Sequence, residues 1–295
     1  MSTQQRLIKS TLVSMTPLLA QIRARWLLIL LLAAVGIGLI WALSIALPPG
    51  IDWHETFRPA ALAVLHSASP YSVKGFLNPP WAVLPFLPLA LVPESIGRAI
   101  VFVGSATALG VTAYRLGARP LALAAFLLSP IVMHGLLNAS VDWLVLVGFI
   151  LPPQLGLFFV IIKPQVGFTL VLFWLVEAWR KGGLKEIARV FWPITVATLA
   201  SLLVFGLWPL RFGQTLDYWW NASLWPLSIP VGLVLLVVAY KKRSARYAMG
   251  AAPCLSPYVL FHSWMGALVA LAASQAEMVA AVIGLWVLVI IRAVG

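Results

Sequence analysis

W-L-L-I-L-L-L-A-A-V-G-I-G-L-I-W-A-L-S-I-A-L, residues 26–47, runs for 22 positions without a charge. About 20 apolar residues cross the hydrocarbon core of a bilayer as a helix. A helix also satisfies its backbone hydrogen bonds internally, which lipid cannot do for it. A cleaved signal peptide has a shorter apolar core and a small-residue cleavage site. This run ends instead in Pro48-Pro49-Gly50, so it reads as an uncleaved first span. Arg6, Lys9, Arg23 and Arg25 precede it with no acid among them. That bias places the N-terminal segment, residues 1–25, in the cytoplasm and the loop over residues 48–80 on the outer face.

The rest of the chain has the same character. Of 295 residues, 62% are hydrophobic and 9% charged, and mean hydropathy is +1.00. A soluble domain carries about 25% charged residues. The expectation is an all-α polytopic membrane protein with one transmembrane domain, residues 26–295. Further apolar segments over residues 81–93, 95–114, 120–137, 142–162, 165–179, 190–208, 225–240, 247–273 and 276–292 predict about eight to ten spans. Segment 81–93 is short and proline-rich, and reads equally as a short span or a re-entrant hairpin. Segment 142–162 breaks at Pro152-Pro153. Irregular backbone at membrane depth is tolerated where it lines a cavity.

The net charge of +12 fits basic cytoplasmic loops and membrane lipids as partners, with no nucleic acid. Arg180, Lys181, Lys185 and Arg189 form one cluster; Lys241, Lys242, Arg243 and Arg246 form another. Residues 209–224 between them return to the outside, with Arg211, Asp217, Tyr218, Trp219 and Trp220, of which the tyrosine and tryptophans suit an interfacial belt. Cys254 stands alone, which excludes an intrachain disulfide and a cysteine metal cluster.

Ionisable groups are expensive in such a chain and point to function by default. Asp52 directly follows the first span, in I-D-W-H-E-T-F-R-P-A-A-L-A-V-L-H, residues 51–66. A carboxylate against apolar walls can be tuned as a general base. Asp52 also fits the N-cap of an amphipathic helix over residues 53–66, with Glu55 completing a near capping box. Glu55 and Arg58 are three apart and able to pair; alternatively Glu55 holds a sugar hydroxyl and Arg58 a phosphate, with His54 beside them. His66 reads as interfacial. Lys163, in Ile162-Lys163-Pro164-Gln165, either snorkels or clamps an anion. His262 either bonds a neighbouring helix or serves chemistry. Asp142 and Glu277 read as helix starts, and Glu177 as a partner of Lys181. His54, His66, His134 and His262 lack metal-ligand spacing, so no metal site is expected. No P-loop, dinucleotide fingerprint or nucleophile elbow is present, so no cofactor is called for.

The order of Asp52, Ser69-Pro70-Tyr71, Asn78-Pro79-Pro80-Trp81, Ile162-Lys163-Pro164-Gln165 and Ser256-Pro257 with His262 resembles the GT-C superfamily of membrane glycosyltransferases, in particular glycosyltransferase family 87, the alpha-1,2-mannosyltransferase-like proteins. Asn78 stands where that family carries tyrosine, and Asn138-Ala139-Ser140-Val141-Asp142 where it carries G-Q-x-N. The resemblance implies a GT-C-like bundle in a prokaryotic plasma membrane. It also implies transfer of a hexose such as mannose from a polyprenyl-phosphate donor to a lipid, glycolipid or glycan acceptor at the outer face. Asp52 and His262 would be catalytic, with Asp52 the base. His54, Glu55, Arg58, Tyr71, Asn78, Lys163 and Gln165 would bind substrate. Any divalent-metal requirement is left open. A non-catalytic membrane subunit or a lipid-linked sugar flippase is the alternative.

Overall fold

The computed structural model describes residues 3–215 and 221–294. Tyr218, Trp219 and Trp220, expected in an interfacial belt, lie outside the described residues, as does Asp217. The chain divides into two units, Met1–Ala46 and Leu47–Gly295. The first is one helix, α1 (Thr3–Ala46). Its stretch Arg25–Ala46 has a mean hydropathy of 2.7. At 1.5 Å per residue it is about 33 Å long, enough for a bilayer core.

Helices joined by loops make up the second unit, and the described chain as a whole is 78% helix without a strand. It opens with a wide π-type turn, Asp52–Phe57, which leads into α2 (Arg58–Leu65). This is the amphipathic element the sequence predicts. Trp53, Phe57, Ala60 and Ala61 are buried, whereas His54 and Glu55 are exposed. The start differs from expectation. Ile51 occupies the cap position, and no side chain caps the turn, so Asp52 is not spent on a capping box.

Prolines shorten the next elements. Pro80–Phe86 forms tight 3-10 turns that pass into α3 (Leu87–Ala90). Pro85 and Pro88 remove backbone donors there, and Pro80–Ala90 is too short for a span. The segment at 81–93 is therefore not a full crossing. Then come α4 (Glu94–Arg115), α5 (Pro120–Leu127) and α6 (Pro130–Asn138). α5 and α6 meet at a 53° bend. Ser129 caps α6 by accepting from the Val132 N–H at 3.4 Å.

Two short helices, α7 (Asp142–Gly148) and α8 (Pro153–Val160), flank the Pro152-Pro153 break. α9 (Pro164–Phe205) is in fact two helices, because the backbone leaves the helical region at Gly182 and Gly183. The chain then runs through α10 (Ile229–Lys242), α11 (Ala245–Cys254), α12 (Met265–Val269) and α13 (Gln275–Val294). Among the described residues four helices are long and apolar enough to cross a membrane, or five if the bent α5–α6 pair counts as one span. The sequence predicts about eight to ten. Part of the difference is that α9, counted once, holds two of the predicted segments, 165–179 and 190–208; the rest comes from proline-broken apolar runs that fold as short helices.

Ion pairing at the basic clusters also differs in detail. Glu177 pairs with Arg180 at 2.9 Å and Arg243 at 2.6 Å, while Lys181 turns to Glu186. This ties the end of α10 to the first half of α9.

Glycines permit the closest approaches. A Cβ at Gly156 would lie 2.7 Å from the Gly148 carbonyl oxygen and 2.7 Å from the Trp174 ring. Overpacking of this kind costs about 1–3 kcal/mol. Gly156→Val should therefore lower the unfolding midpoint in mild detergent. An unchanged midpoint would show that the α7–α8 spacing is not set there.

Candidate functional site

The short helices bring together polar residues that are far apart in sequence. α6 ends in a left-handed residue, Ala139, at φ 57°. The reversal delivers Ser140 and then Asp142, which starts α7 and is 0% exposed. Lys163 sits in extended backbone at the α8–α9 break. Its Nζ donates to Asp142 Oδ2 at 2.6 Å. The Ser140 hydroxyl donates to the same oxygen.

His262 comes from a 3-10 turn, Phe261–Trp264. Its Nε2 lies 3.3 Å from Asp142 Oδ2 and 3.3 Å from Lys163 Nζ. Lysine offers only N–H groups and an ionised carboxylate only lone pairs. A neutral His262 therefore satisfies one of the two through Nε2. Its Nδ1 faces His134 Nδ1 at 3.3 Å, with the rings stacked. His134 is exposed, so this pair leads from the buried ion pair toward the surface. Asp142 Oδ1 is buried without a hydrogen bond.

The first loop braces this cluster. Asn78 donates through Nδ2 to the Ile162 carbonyl at 2.9 Å, one residue before Lys163. The Tyr71 hydroxyl donates to the Asn78 carbonyl at 2.9 Å. Trp81 donates to the Phe158 carbonyl at 2.8 Å. Tyr71 is itself packed on Phe76, Phe205 and Trp208, with Arg211 over its ring. Burial pushes its phenol up, against the opposing pull of Arg211. In this geometry Tyr71 and Asn78, expected to bind substrate, hold backbone instead. Gln165 is half-buried and makes none of the cluster's hydrogen bonds.

The π-type turn supplies the other side. The Trp53 indole donates to the Glu94 carbonyl at 3.1 Å. His54 bonds the Glu94 carboxylate through Nδ1. Arg58 reaches the same carboxylate at 3.6 Å, so it pairs with Glu94 and not with Glu55. Its charge is shared with an acid before any phosphate arrives. Glu55 stays exposed.

Asp52 is half-buried, and among the described residues its carboxylate has no hydrogen-bond partner. Burial raises it to about 6; the Lys163 ammonium pulls it down, and Asp142 and Glu55 push it up. Asp52 thus lies within electrostatic reach of the buried pair. Beside it opens a cleft of about 420 Å³, with residues 48–51, His54 and Glu55 on one wall and Leu137 and Asn138 on the other. Pockets that hold small ligands are usually about 300–1,000 Å³.

The structure therefore puts His54 and Glu55 on the cleft wall, with Asp52 next in sequence to the lining residue Ile51 but not itself lining the cleft. Lys163 and His262 lie behind them, engaged with Asp142. The Lys163 ammonium is bound to a carboxylate, neither snorkelling nor free for a lipid phosphate. Asp142, His134, Ser140 and Glu94 are the members that sequence reasoning passes over. The signal that points to them is charge balance: with only eight acids in the chain, a lysine inside apolar sequence needs one of them. Among the described residues no group of three or more His, Cys, Asp or Glu side chains is placed to hold a metal.

No protein-family model, curated protein or solved structure matches this chain.

Removing one partner of a buried ion pair leaves an uncompensated charge and costs about 3–5 kcal/mol. Lys163→Met should destabilise by that amount in denaturant unfolding. The double variant Lys163→Met/Asp142→Leu should recover most of it. A single variant as stable as wild type would refute the pairing.

Proposed function

We propose that this chain is a membrane glycosyltransferase that moves a hexose from a polyprenyl-phosphate donor to a lipid or glycan hydroxyl. The reading places the reaction at the outer face of a prokaryotic plasma membrane, with the N-terminus in the cytoplasm and the fold a GT-C-like bundle. One observation carries it. Asp52, without a hydrogen-bond partner among the described residues, is a half-buried carboxylate between Ile51 and the His54-Glu55 wall of a ligand-sized cleft, raised to about 6 by burial. The motif order from Asp52 to His262 supports the same reading.

The chemistry asks little beyond these groups. Asp52 takes the proton of the acceptor hydroxyl as its oxygen attacks the anomeric carbon from the face opposite the phosphate. The carbon–oxygen bond to the lipid phosphate breaks, and the phosphate leaves with the electron pair. The donor's own leaving group is an anion already, so a strong acid is not required. Glu55 and His54, on the cleft wall, are positioned to hold sugar hydroxyls. Lys163, Asp142 and His262 act as positioning residues that fix the field at Asp52.

A carboxyl raised to about 6 is protonated below that pH and ionised above it. Only the ionised form is a base. Turnover should therefore rise with pH through about 6 and level off, falling about tenfold per unit on the acid side. Loss of a general base costs about 10²–10⁴ in rate. Asp52→Asn should lose turnover by that factor while keeping fold and donor binding. The assay is transfer of radiolabelled sugar from a panel of polyprenyl-phosphate sugars by the purified protein in lipid. Full activity in the variant would sink the assignment of the base. No transfer from any donor by a folded sample would favour a lipid-linked sugar flippase or a non-catalytic subunit.

A further inference from the structure

Arg98 is a buried cation outside the Lys163–Asp142 cluster. It lies near the start of α4 and is 2% exposed. Its Nη2 donates to the Leu136 and Leu137 carbonyls at 2.8 and 2.9 Å. Those carbonyls belong to the last turn of α6, where unpaired backbone oxygens concentrate partial negative charge. The guanidinium lies 5.8 Å over the Phe102 ring, and among the described residues its buried Nε and Nη1 have no hydrogen-bond partner. Among the described residues no carboxylate forms an ion pair with it. A buried guanidinium left with free N–H groups is costly, and an anion is what completes such a site.

Its place in the fold says where the anion would come from. Gly50 and Leu137 both line the cleft, and both touch this guanidinium. A Cβ built at Gly50 would lie 2.5 Å from Arg98 Nε and 3.1 Å from its Cζ. Gly50 also has φ +75°, which an L side chain rarely adopts. A single residue without a side chain thus stands between the free Nε and the cleft. Glu55 lines the same cleft and would repel an anion. The Gly50–Leu137 end is therefore where negative charge belongs, with Glu55 left for hydroxyl groups.

We propose that Arg98 is the anion-binding group of the cleft and takes the phosphate of a phosphate-bearing ligand, with the Gly50 backbone yielding to admit it. The inference rests on reading the cleft as the ligand site and names the residue that recognises the phosphate. The planar fork of arginine matches phosphate through two parallel hydrogen bonds, which lysine cannot reproduce.

The test is binding of inorganic phosphate and of a short-chain prenyl phosphate to the purified full chain by titration calorimetry, for wild type, Arg98→Gln and Arg98→Lys. Wild type should bind at least one of them, and affinity should fall about tenfold or more in Arg98→Gln. Arg98→Lys keeps the buried charge but loses the fork, and should also bind more weakly. Comparable affinity for both probes would assign a free phosphate; affinity for the prenyl phosphate alone would assign a lipid headgroup. Wild-type failure to bind either probe would overturn the proposal. So would wild-type affinity in folded Arg98→Gln or, should that variant not fold, in Arg98→Lys. Sugar transfer is scored separately. Arginine-dependent phosphate binding without transfer would defeat the enzymatic reading and leave the anion site standing. Transfer that needs Asp52 alongside phosphate binding indifferent to Arg98 would do the reverse.

Discussion

A salt bridge between Lys163 and Asp142, closed at 2.6 Å with the carboxylate fully buried, is the constraint around which the second unit is arranged. Two opposite charges in an apolar interior tolerate each other only at close range, and at a lower cost the more of their remaining hydrogen-bonding positions are met. That condition fixes where the α6–α7 reversal and the α8–α9 break must lie, since each delivers one partner. His262 and Ser140 then supply contacts that the pair alone does not make. Tyr71, Asn78 and Trp81 hold the α8 side in place from the first loop. Pro164 stands at the α8–α9 break, whereas the α6–α7 reversal turns on the left-handed Ala139. Packing and polar satisfaction are thus two aspects of one arrangement.

The pair also explains why Asp52 is left free. Lys163 has its neutralising partner in Asp142, so Asp52 feels both charges and is bonded to neither. Burial can then dominate its acidity. The Asp142 charge opposes the downward pull of Lys163 on Asp52 and leaves burial the largest influence on it. The site gains its poise from a neutral dipole behind the carboxylate in place of a bare cation.

Much of the fold is legible in the sequence because hydropathy is a strong signal. The first span, the amphipathic element after it, the break at Pro152-Pro153 and the turn between Arg180 and Lys185 all follow from apolar runs and the residues that interrupt them. The number of spans is not legible. A run such as 142–162 has the apolar content of a crossing, and only the packing of α7 against α8 through Gly148 and Gly156 shows that it folds back on itself. At the site, Asp52, His54 and Glu55 stand out because charge is rare in this chain. Asp142 does not, because an acid at a helix start has an ordinary local explanation. Its true partner is 21 residues away, across a break whose geometry local sequence does not encode. For Tyr71 and Asn78, motif order indicates nearness to the site but carries no information on which way the side chains point.

The wide turn over Asp52–Phe57 acts as a phase-setter. A π-type turn holds one residue more than an α-turn, and each residue of a helix advances the side-chain direction by about 100°. The extra residue therefore decouples two facings within a single short element. Trp53 and Phe57 lock into the interior while Asp52 and Glu55 are aimed elsewhere. Removing one residue would restore an ordinary helix and turn Asp52 by that angle relative to Trp53 and Phe57 without altering a residue type in the core. The bearing of the carboxylate is thus stored as a count of residues, a kind of change that a comparison of residue types alone would pass over.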